Sequence, residues 1–261
     1  MGLNPVAIAE FRFYEELNDF LLPERRKRAF AYACARRATV KNAVESMGVP
    51  HTEIELILVN GRSVDFSYII GDGDRISVYP QFESLDVGPL LRVRSHPLRV
   101  VRFIADAHLG GLAKYLRILG FDTLYRNDFQ DEEIARIAAA ERRVVLTRDR
   151  DLLKHRTITH GCYLRAVKPR EQLAELLKRL DLFGLVTPFT RCSRCNGLLE
   201  PTDKHAALAR IPASLVRFYD RFWACAGCDR IYWAGSHYRR LQEVIDDALH
   251  SQRAPAENAA S

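Results

Sequence analysis

The chain has 261 residues, of which 48% are hydrophobic and 28% charged, and its net charge is +6 with a pI near 9.1. This length allows two or three compact units, and the composition is ordinary for a globular protein, with a mild basic bias that suits an anionic partner. No apolar stretch reaches the roughly 18 residues of a membrane span, and no secretory or myristoylation signal is recognisable, so we expect a cytoplasmic protein that does not enter membranes.

The sequence of residues 1–82 predicts a β-grasp domain. Strands are expected at 6–14 and 29–34, followed by a helix at 39–49 that begins at the Thr39 cap and ends at Gly48. Two strands joined by the hairpin signal Asn60-Gly61 come next, and "GDGDRISVYP" supplies a last strand. The resulting order is β-β-α-β-β-β.

This domain resembles the ubiquitin-like and sulfur-carrier domains, above all in "VNGRSVDFSYIIGDGDRISVYP". Sulfur carriers end in an exposed Gly-Gly, whereas this chain continues through "QFESLDVGPLLRV". We therefore expect a binding or spacing module that could contact a protein partner, and not a carrier. A linker is predicted at 83–98, with Gly88, Pro89 and Pro97.

Residues 99–186 alternate between strands and helices. Strands are predicted at 98–106, 121–127, 143–147 and 161–167, and helices at 108–120, 131–141, 149–155 and 169–184. The strands are apolar on both faces, as buried parallel strands are. The pattern predicts an α/β domain, a parallel sheet with right-handed crossovers and helices on both faces.

Acidic residues follow three of these strands. Asp106 ends the first; Asp128, Asp131, Glu132 and Glu133 follow the second; Asp149 and Asp151 follow the third. Taken singly, each acid is explained by helix capping or by the helix dipole. Taken together they predict one cluster, because ligands of an open parallel sheet lie beyond the carboxyl ends of its strands.

Several carboxylates in one pocket raise each other's pKa unless a cation keeps them ionised. Oxygen ligands suit Mg²⁺ or Mn²⁺, which lower the pKa of a bound water and stabilise a phosphoryl transition state. Basic residues near the acids are candidates for holding a phosphate backbone: Lys114, Arg117, Arg126, Arg148 and Arg150. The predicted chemistry is that of a nuclease.

The segment "FIADAHLGGLAKYLRILGFDTLYRNDFQDEEIARIAAAERRVVLTRDRDLL" resembles the core of the Mut7-C family, a PIN-like ribonuclease group. The resemblance implies that Asp106, Asp131, Asp149 and Asp151 are catalytic and that the first three bind Mg²⁺ or Mn²⁺, with Asp128 or Glu132 as substitutes for Asp131. It also implies an N-terminal ubiquitin-like companion, which matches residues 6–80.

Six cysteines are present, and four form two C-x₂-C pairs: Cys192, Cys195, Cys225 and Cys228. Without a secretory signal, such pairs predict metal ligands, and four thiolates suit structural Zn²⁺. The 29 residues between the pairs include "PASLVRFYDRF", which is expected to be helical. Cys34 and Cys162 are expected to be ordinary buried thiols.

A zinc ribbon is thus predicted over 187–240, and a helix end with a disordered tail over 241–261. His237 either packs beside the ribbon or contacts substrate. The sequence as a whole predicts a metal-dependent ribonuclease that hydrolyses RNA phosphodiesters, with Lys114, Arg117, Arg148 and Arg150 as RNA contacts. The alternatives are a non-catalytic RNA-binding or adaptor protein, and a toxin-like endonuclease that cuts tRNA at one site.

Overall fold

A computed structural model describes residues 7–80, 101–233, 235, 243 and 246. The predicted linker 83–98, His237 and most of the segment 241–261 lie outside these residues. The described chain forms two compact units. One contains residues 7–80 and 130–163, and the other contains residues 101–129 and 164–233. The domain boundaries drawn from the sequence stay a prediction.

The first unit contains the β-grasp sheet. Its elements are β1 (Ala7–Phe13), β2 (Phe30–Cys34), α1 (Val40–Ser46), β3 (Leu56–Val59), β4 (Arg62–Ser63) and β5 (Arg75–Tyr79). The strand order is β2-β1-β5-β3-β4. Strands β1 and β5 run parallel and the other neighbours run antiparallel. The predicted order β-β-α-β-β-β is confirmed.

Local sequence explains these elements. The Thr39 hydroxyl accepts the Asn42 N–H at 3.2 Å and so caps α1. Asn60 and Gly61 have φ values of 50° and 80°, the left-handed conformation that a two-residue hairpin needs. Alternate residues of β1, including Phe11 and Phe13, are buried in one core with α1.

The same unit contains a second group of elements: α3 (Asp131–Glu141), β8 (Val144–Thr147), α4 (Arg150–Leu153) and β9 (Gly161–Tyr163). All four residues of β8 are buried. Strands β8 and β9 pair in parallel, with Val145 opposite Gly161 and Thr147 opposite Tyr163. A strand buried on both faces explains the continuous apolar run in this part of the sequence.

The β-grasp domain packs directly against β9. A 3₁₀ turn, His51–Glu53, provides the contact. The Glu53 carboxylate accepts the Tyr163 N–H at 2.6 Å, and Nε2 of buried His51 lies 2.8 Å from the Ile158 carbonyl oxygen. The Phe20 and Tyr163 rings also meet edge to face, 5.4 Å apart. The ubiquitin-like module is therefore a packed part of this unit.

The second unit begins with β6 (Arg102–Ala105), α2 (Gly110–Ile118) and β7 (Asp122–Tyr125) and continues with α5 (Pro169–Arg179). Strands β6 and β7 pair in parallel, with Phe103 opposite Thr123. Two glycines begin α2 because neighbours approach closely. A Cβ on Gly110 would lie 2.5 Å from the Tyr125 hydroxyl, and one on Gly111 would lie 2.5 Å from Pro169 Cγ.

The cysteine module completes this unit. It consists of β10 (Leu199–Thr202), α6 (Lys204–Leu208), α7 (Ala213–Phe218), β11 (Phe222–Cys225) and β12 (Ile231–Trp233). The three strands form an antiparallel sheet in the order β10-β11-β12. Helix α7 lies in "PASLVRFYDRF", as predicted, whereas α6 was not predicted.

The predicted fold class is confirmed: a β-grasp sheet, parallel strands with helices, and a four-cysteine module. Among the described residues, no helix has both the length and the apolar character that crossing a membrane requires.

Candidate functional site

Asp106 directly follows β6 and is 9% exposed. It occupies the position before a short 3₁₀ turn, Ala107–Leu109, but its side chain makes no capping hydrogen bond to that turn. Its carbonyl oxygen accepts the Leu109 N–H at 2.9 Å. Capping therefore does not explain why an acid stands at this position.

Asp149 does cap a helix. Its Oδ1 accepts the Asp151 N–H at 2.8 Å at the start of α4, and its own N–H donates to the Thr147 hydroxyl at 2.9 Å. The orientation of the carboxylate is thus fixed by the backbone. Within the described residues, Oδ2 of Asp149 accepts no hydrogen bond, so one oxygen remains available to a ligand.

Asp151 lies on the outer surface of α4. Its side chain is 86% exposed and its Oδ1 lies 2.8 Å from Lys154 Nζ. The hydrogen bond from Lys154, and the positive charge of that ammonium, lower the pKa of Asp151. The surroundings of Asp151 are those of a solvated ion pair on a helix.

The acids around the start of α3 divide into two groups. Gln130 is the N-cap, and Asp131, Glu132 and Glu133 occupy the first turn, where the helix dipole stabilises negative charge. Asp128 is not part of the helix. It pairs with Arg126 at 2.9 Å, and that hydrogen bond lowers the pKa of Asp128.

Three of the four predicted RNA-contact residues lie on or near the surface. Lys114 and Arg148 are exposed, and Arg150 is half-buried. The Arg150 guanidinium lies 5.0 Å from the centre of the Phe20 ring and 5.3 Å from that of Tyr163. Cation–π contacts with these two rings orient Arg150 within its unit.

Arg117 is only 5% exposed. Its Nε donates to the Thr123 carbonyl at 2.9 Å, and its Nη1 donates to the Arg194 carbonyl at 2.8 Å and to the Ser193 carbonyl at 3.4 Å. Burial lowers its pKa, against the opposing effect of the Cys192 and Cys195 sulfurs. Arg117 therefore joins α2 and β7 to the first cysteine pair.

The four paired cysteines converge. Their Sγ atoms all lie within 4.8 Å of one another. The Cys192–Cys228 and Cys195–Cys225 sulfur distances are 3.7 and 3.3 Å. A tetrahedral Zn²⁺ with bonds of about 2.3 Å places its sulfurs about 3.8 Å apart. The cluster fits structural zinc, as predicted from the spacing.

Backbone geometry prepares both pairs for metal. The Cys195 N–H points to Cys192 Sγ at 3.5 Å, and the Gly227 N–H points to Cys225 Sγ at 3.3 Å. The residue after each pair has a left-handed backbone conformation, with φ of 71° at Asn196 and 55° at Asp229. This shared turn aims amide hydrogens at the sulfurs and stabilises thiolates.

Tyr232 was missed by the sequence analysis. Its hydroxyl lies 3.0 Å from Cys192 Sγ. Burial and this contact raise the pKa of Tyr232 to about 12. Burial alone would raise the pKa of Cys192, but the bonds from Tyr232 and from backbone amides lower it to about 6. At Cys225 burial outweighs the hydrogen bonds and raises the pKa to about 12.

Asn196 was also missed. Its Oδ1 accepts the Thr123 N–H at 3.0 Å, and its Nδ2 donates to Asp122 Oδ1 at 2.7 Å. The first cysteine pair is thereby bonded to β7. The available sequence signal was a polar residue directly after each C-x₂-C, which is typical of a left-handed turn.

Two family models match the chain and agree with this architecture. The family model described as "Mut7-C RNAse domain" matches residues 101–245, and the one described as "Mut7-C ubiquitin" matches residues 6–86. No significant match is found among curated proteins. Among solved structures, H. volcanii small archaeal modifier protein 1 matches at 19% identity, covering 29% of this chain and 99% of that chain, with a TM-score of 0.24. Since the RNAse-domain match covers more than half of the 261 residues, the chain belongs to the Mut7-C RNAse family.

Proposed function

We propose that this protein is a metal-dependent ribonuclease that hydrolyses RNA phosphodiesters. The observation that carries the proposal is the position of three acids within the Mut7-C RNAse match. Asp106 stands at the end of β6, Asp131 at the start of α3 and Asp149 just after β8. In parallel α/β sheets, these are the positions from which side chains reach a ligand.

The proposed ligands of Mg²⁺ or Mn²⁺ are Asp106, Asp131 and Asp149. Carboxylate oxygens are the donors that these ions prefer. Asp149 supports the assignment. Its Oδ1 caps α4 and so fixes the carboxylate, while its Oδ2 accepts no hydrogen bond from the described residues and can bind an ion. A bound divalent ion would supply a water of lowered pKa and positive charge for the phosphoryl transition state.

Asp151 is the fourth proposed catalytic acid, and we rank it last because of its ion pair with Lys154. If Asp131 is not a ligand, Glu132 is the better of the two substitutes. It is exposed in the first turn of α3, whereas Asp128 is engaged by Arg126. Asp131 itself is not the N-cap of α3, because Gln130 holds that position.

The proposed RNA contacts are Lys114, Arg148 and Arg150, together with the cysteine module. Lys114 and Arg148 are exposed and present charge to a phosphate backbone. We leave Arg117 out of this set, because its guanidinium is buried against carbonyl oxygens. Zn²⁺ at the four cysteines is proposed to have a structural role, since four thiolates leave no open coordination position.

The test is cleavage of labelled single-stranded RNA by the zinc-loaded chain, with and without Mn²⁺. We expect cleavage by wild type and a loss of about 100-fold or more in Asp149→Asn, because a metal ion supplies several kcal/mol to the transition state. Asp220→Asn is the matched control, because that acid is 90% exposed, pairs with Lys204 and is not among the proposed ligands. Equal cleavage by wild type and Asp149→Asn would refute the proposal.

Absence of cleavage with intact RNA binding would favour the alternative, a non-catalytic RNA-binding or adaptor protein. The ubiquitin-like domain is then the proposed site for a protein partner. A cytoplasmic location is proposed because the paired cysteines suit a reducing compartment.

A further inference from the structure

A cavity of about 610 Å³ opens on the cysteine module. This volume lies within the range of about 300–1,000 Å³ that small ligands occupy. Five aromatic residues contribute to its walls: Phe189, Tyr219, Trp223, Tyr232 and Trp233. Three arginines line it as well: Arg191, Arg210 and Arg230. An aromatic cavity bordered by guanidinium groups has the composition of a site for a flat, anionic ligand.

Two of the aromatic residues form a platform. Trp223 on β11 pairs with Tyr232 on β12 in antiparallel register, so both side chains lie on the same face of the sheet. Both are half-buried, which leaves part of each ring accessible. The Tyr232 hydroxyl contacts Cys192 Sγ at 3.0 Å, so the cysteine cluster fixes this ring before any ligand arrives. Stacking on a fixed ring avoids the entropy cost of ordering it.

The charges of the cavity favour a phosphate. Arg191 is held by the Asn196 carbonyl at 2.9 Å, and Arg210 faces Asp229 at 3.5 Å. Arg230 is exposed, and among the described residues it makes no ion pair. Asp229 is the one carboxylate in the described lining, against three guanidinium groups. Apart from the zinc ligand Cys228, the lining side chains carry a net positive charge, and Arg230 is the guanidinium among them that makes no ion pair with a described residue.

We propose that this cavity binds one base and the adjacent phosphate of single-stranded RNA, with the base stacked on Trp223 and Tyr232 and the phosphate held by Arg230. Aromatic platforms with arginines recognise unpaired bases, whose faces are hidden in a duplex. The choice of RNA as the polymer rests on the proposed function. The cavity itself would position substrate and would take no part in the chemistry.

The chain offers a selective probe for this site. It contains two tryptophans, and both line the cavity. We expect a single-stranded ten-nucleotide RNA, added to the zinc-loaded full chain without Mg²⁺ or Mn²⁺, to quench tryptophan fluorescence saturably. The same RNA annealed to its complement, and heparin, a polyanion without bases, should quench little.

Two variants and a control complete the experiment. Arg230→Gln should weaken RNA binding about tenfold, as expected for the loss of one charge-assisted phosphate contact. Trp223→Leu should weaken it at least about fivefold through lost stacking, measured by anisotropy of labelled RNA. Arg221→Gln, an exposed arginine outside the lining, should bind like wild type.

Equal quenching by heparin, or unchanged binding by both variants, would overturn the proposal. The outcomes also separate the two proposals. Cleavage without any tryptophan response refutes the base site and leaves the ribonuclease in place. Saturable quenching without cleavage refutes the ribonuclease and leaves the base site.

Discussion

Replacing Arg117 by methionine tests the role of its buried guanidinium. Methionine keeps most of the aliphatic length of the side chain but donates no hydrogen bond. The Thr123 and Arg194 carbonyls, bonded at 2.9 and 2.8 Å in the native protein, would lose their charged donor. Because Arg117 is only 5% exposed, water has little access to replace it.

The bond to the Thr123 carbonyl is buried, and that acceptor left without a donor costs about 1–3 kcal/mol, whereas the bond to the Arg194 carbonyl is only partly buried and its loss costs about 1 kcal/mol. The two together predict a loss of about 2–4 kcal/mol. In a protein of this size 1 kcal/mol corresponds to roughly 2–4 °C, so we expect the melting temperature to fall by roughly 5–15 °C. The substitution also removes a positive charge beside the Cys192 and Cys195 sulfurs. A four-thiolate zinc centre carries a net negative charge, so zinc should be lost more readily to a chelator.

The assay is thermal unfolding of the zinc-loaded chain, combined with the rate of zinc transfer to a colorimetric chelator. Lys114→Met is the matched control. It lies on the same helix but is exposed, and its effect on stability should stay within about 0.5 kcal/mol. If Arg117→Met melts within about 1 °C of wild type and retains zinc equally well, the guanidinium does not join α2 to the cysteine pair.

Three further predictions concern zinc, the β-grasp contact and the acids. Burial raises the pKa of Cys225 to about 12 and also raises that of Cys228, so both are protonated thiols in the metal-free chain at neutral pH. Zinc binding must therefore release at least these two protons. Competition with a chelator at pH 6.5 and 7.5 should show zinc affinity rising by at least about 100-fold per pH unit, and a pH-independent affinity would contradict this. Glu53→Leu leaves the Tyr163 N–H without its acceptor and should lower the free energy of unfolding, measured in urea, by about 1–3 kcal/mol. The control Glu24→Leu changes an exposed residue and should leave stability unchanged. Equal urea midpoints for the two variants would show that the contact does not stabilise the protein. In the Mn²⁺ cleavage assay, Asp149→Asn should lose more activity than Asp151→Asn, since Asp151 is paired with Lys154; the reverse ranking would contradict our order of the acids.

Much of the fold could be predicted because its signals are local. The Thr39 cap, the Asn60-Gly61 turn and the alternation in β1 depend on neighbours within a few residues, and each appears where the sequence placed it. The cysteine spacing predicted the metal cluster for a similar reason, since each C-x₂-C forms its own turn. The short helix α6 was missed, because five residues give little periodicity.

The individual roles of the charged residues were less predictable. Arg117 and Lys114 lie three residues apart on α2, and both were assigned to RNA. Only the packing of the first cysteine pair against β7 distinguishes them, because it buries the Arg117 guanidinium and leaves the Lys114 ammonium exposed. Arg150 likewise meets Phe20, a residue 130 positions earlier in the chain, which no local pattern indicates.

The sequence by itself determined most of the order of strands and helices, the convergence of four cysteines and the placement of acids after strands, because these depend on short-range geometry and on spacing. Tertiary structure decided which side chains are buried, which acids are held by a backbone amide or an ion pair, and how the β-grasp turn meets β9. It also decided that both tryptophans line one cavity on the cysteine module. The physical reason is that burial and pairing depend on residues far apart in the chain, and those distances are set only when the elements pack.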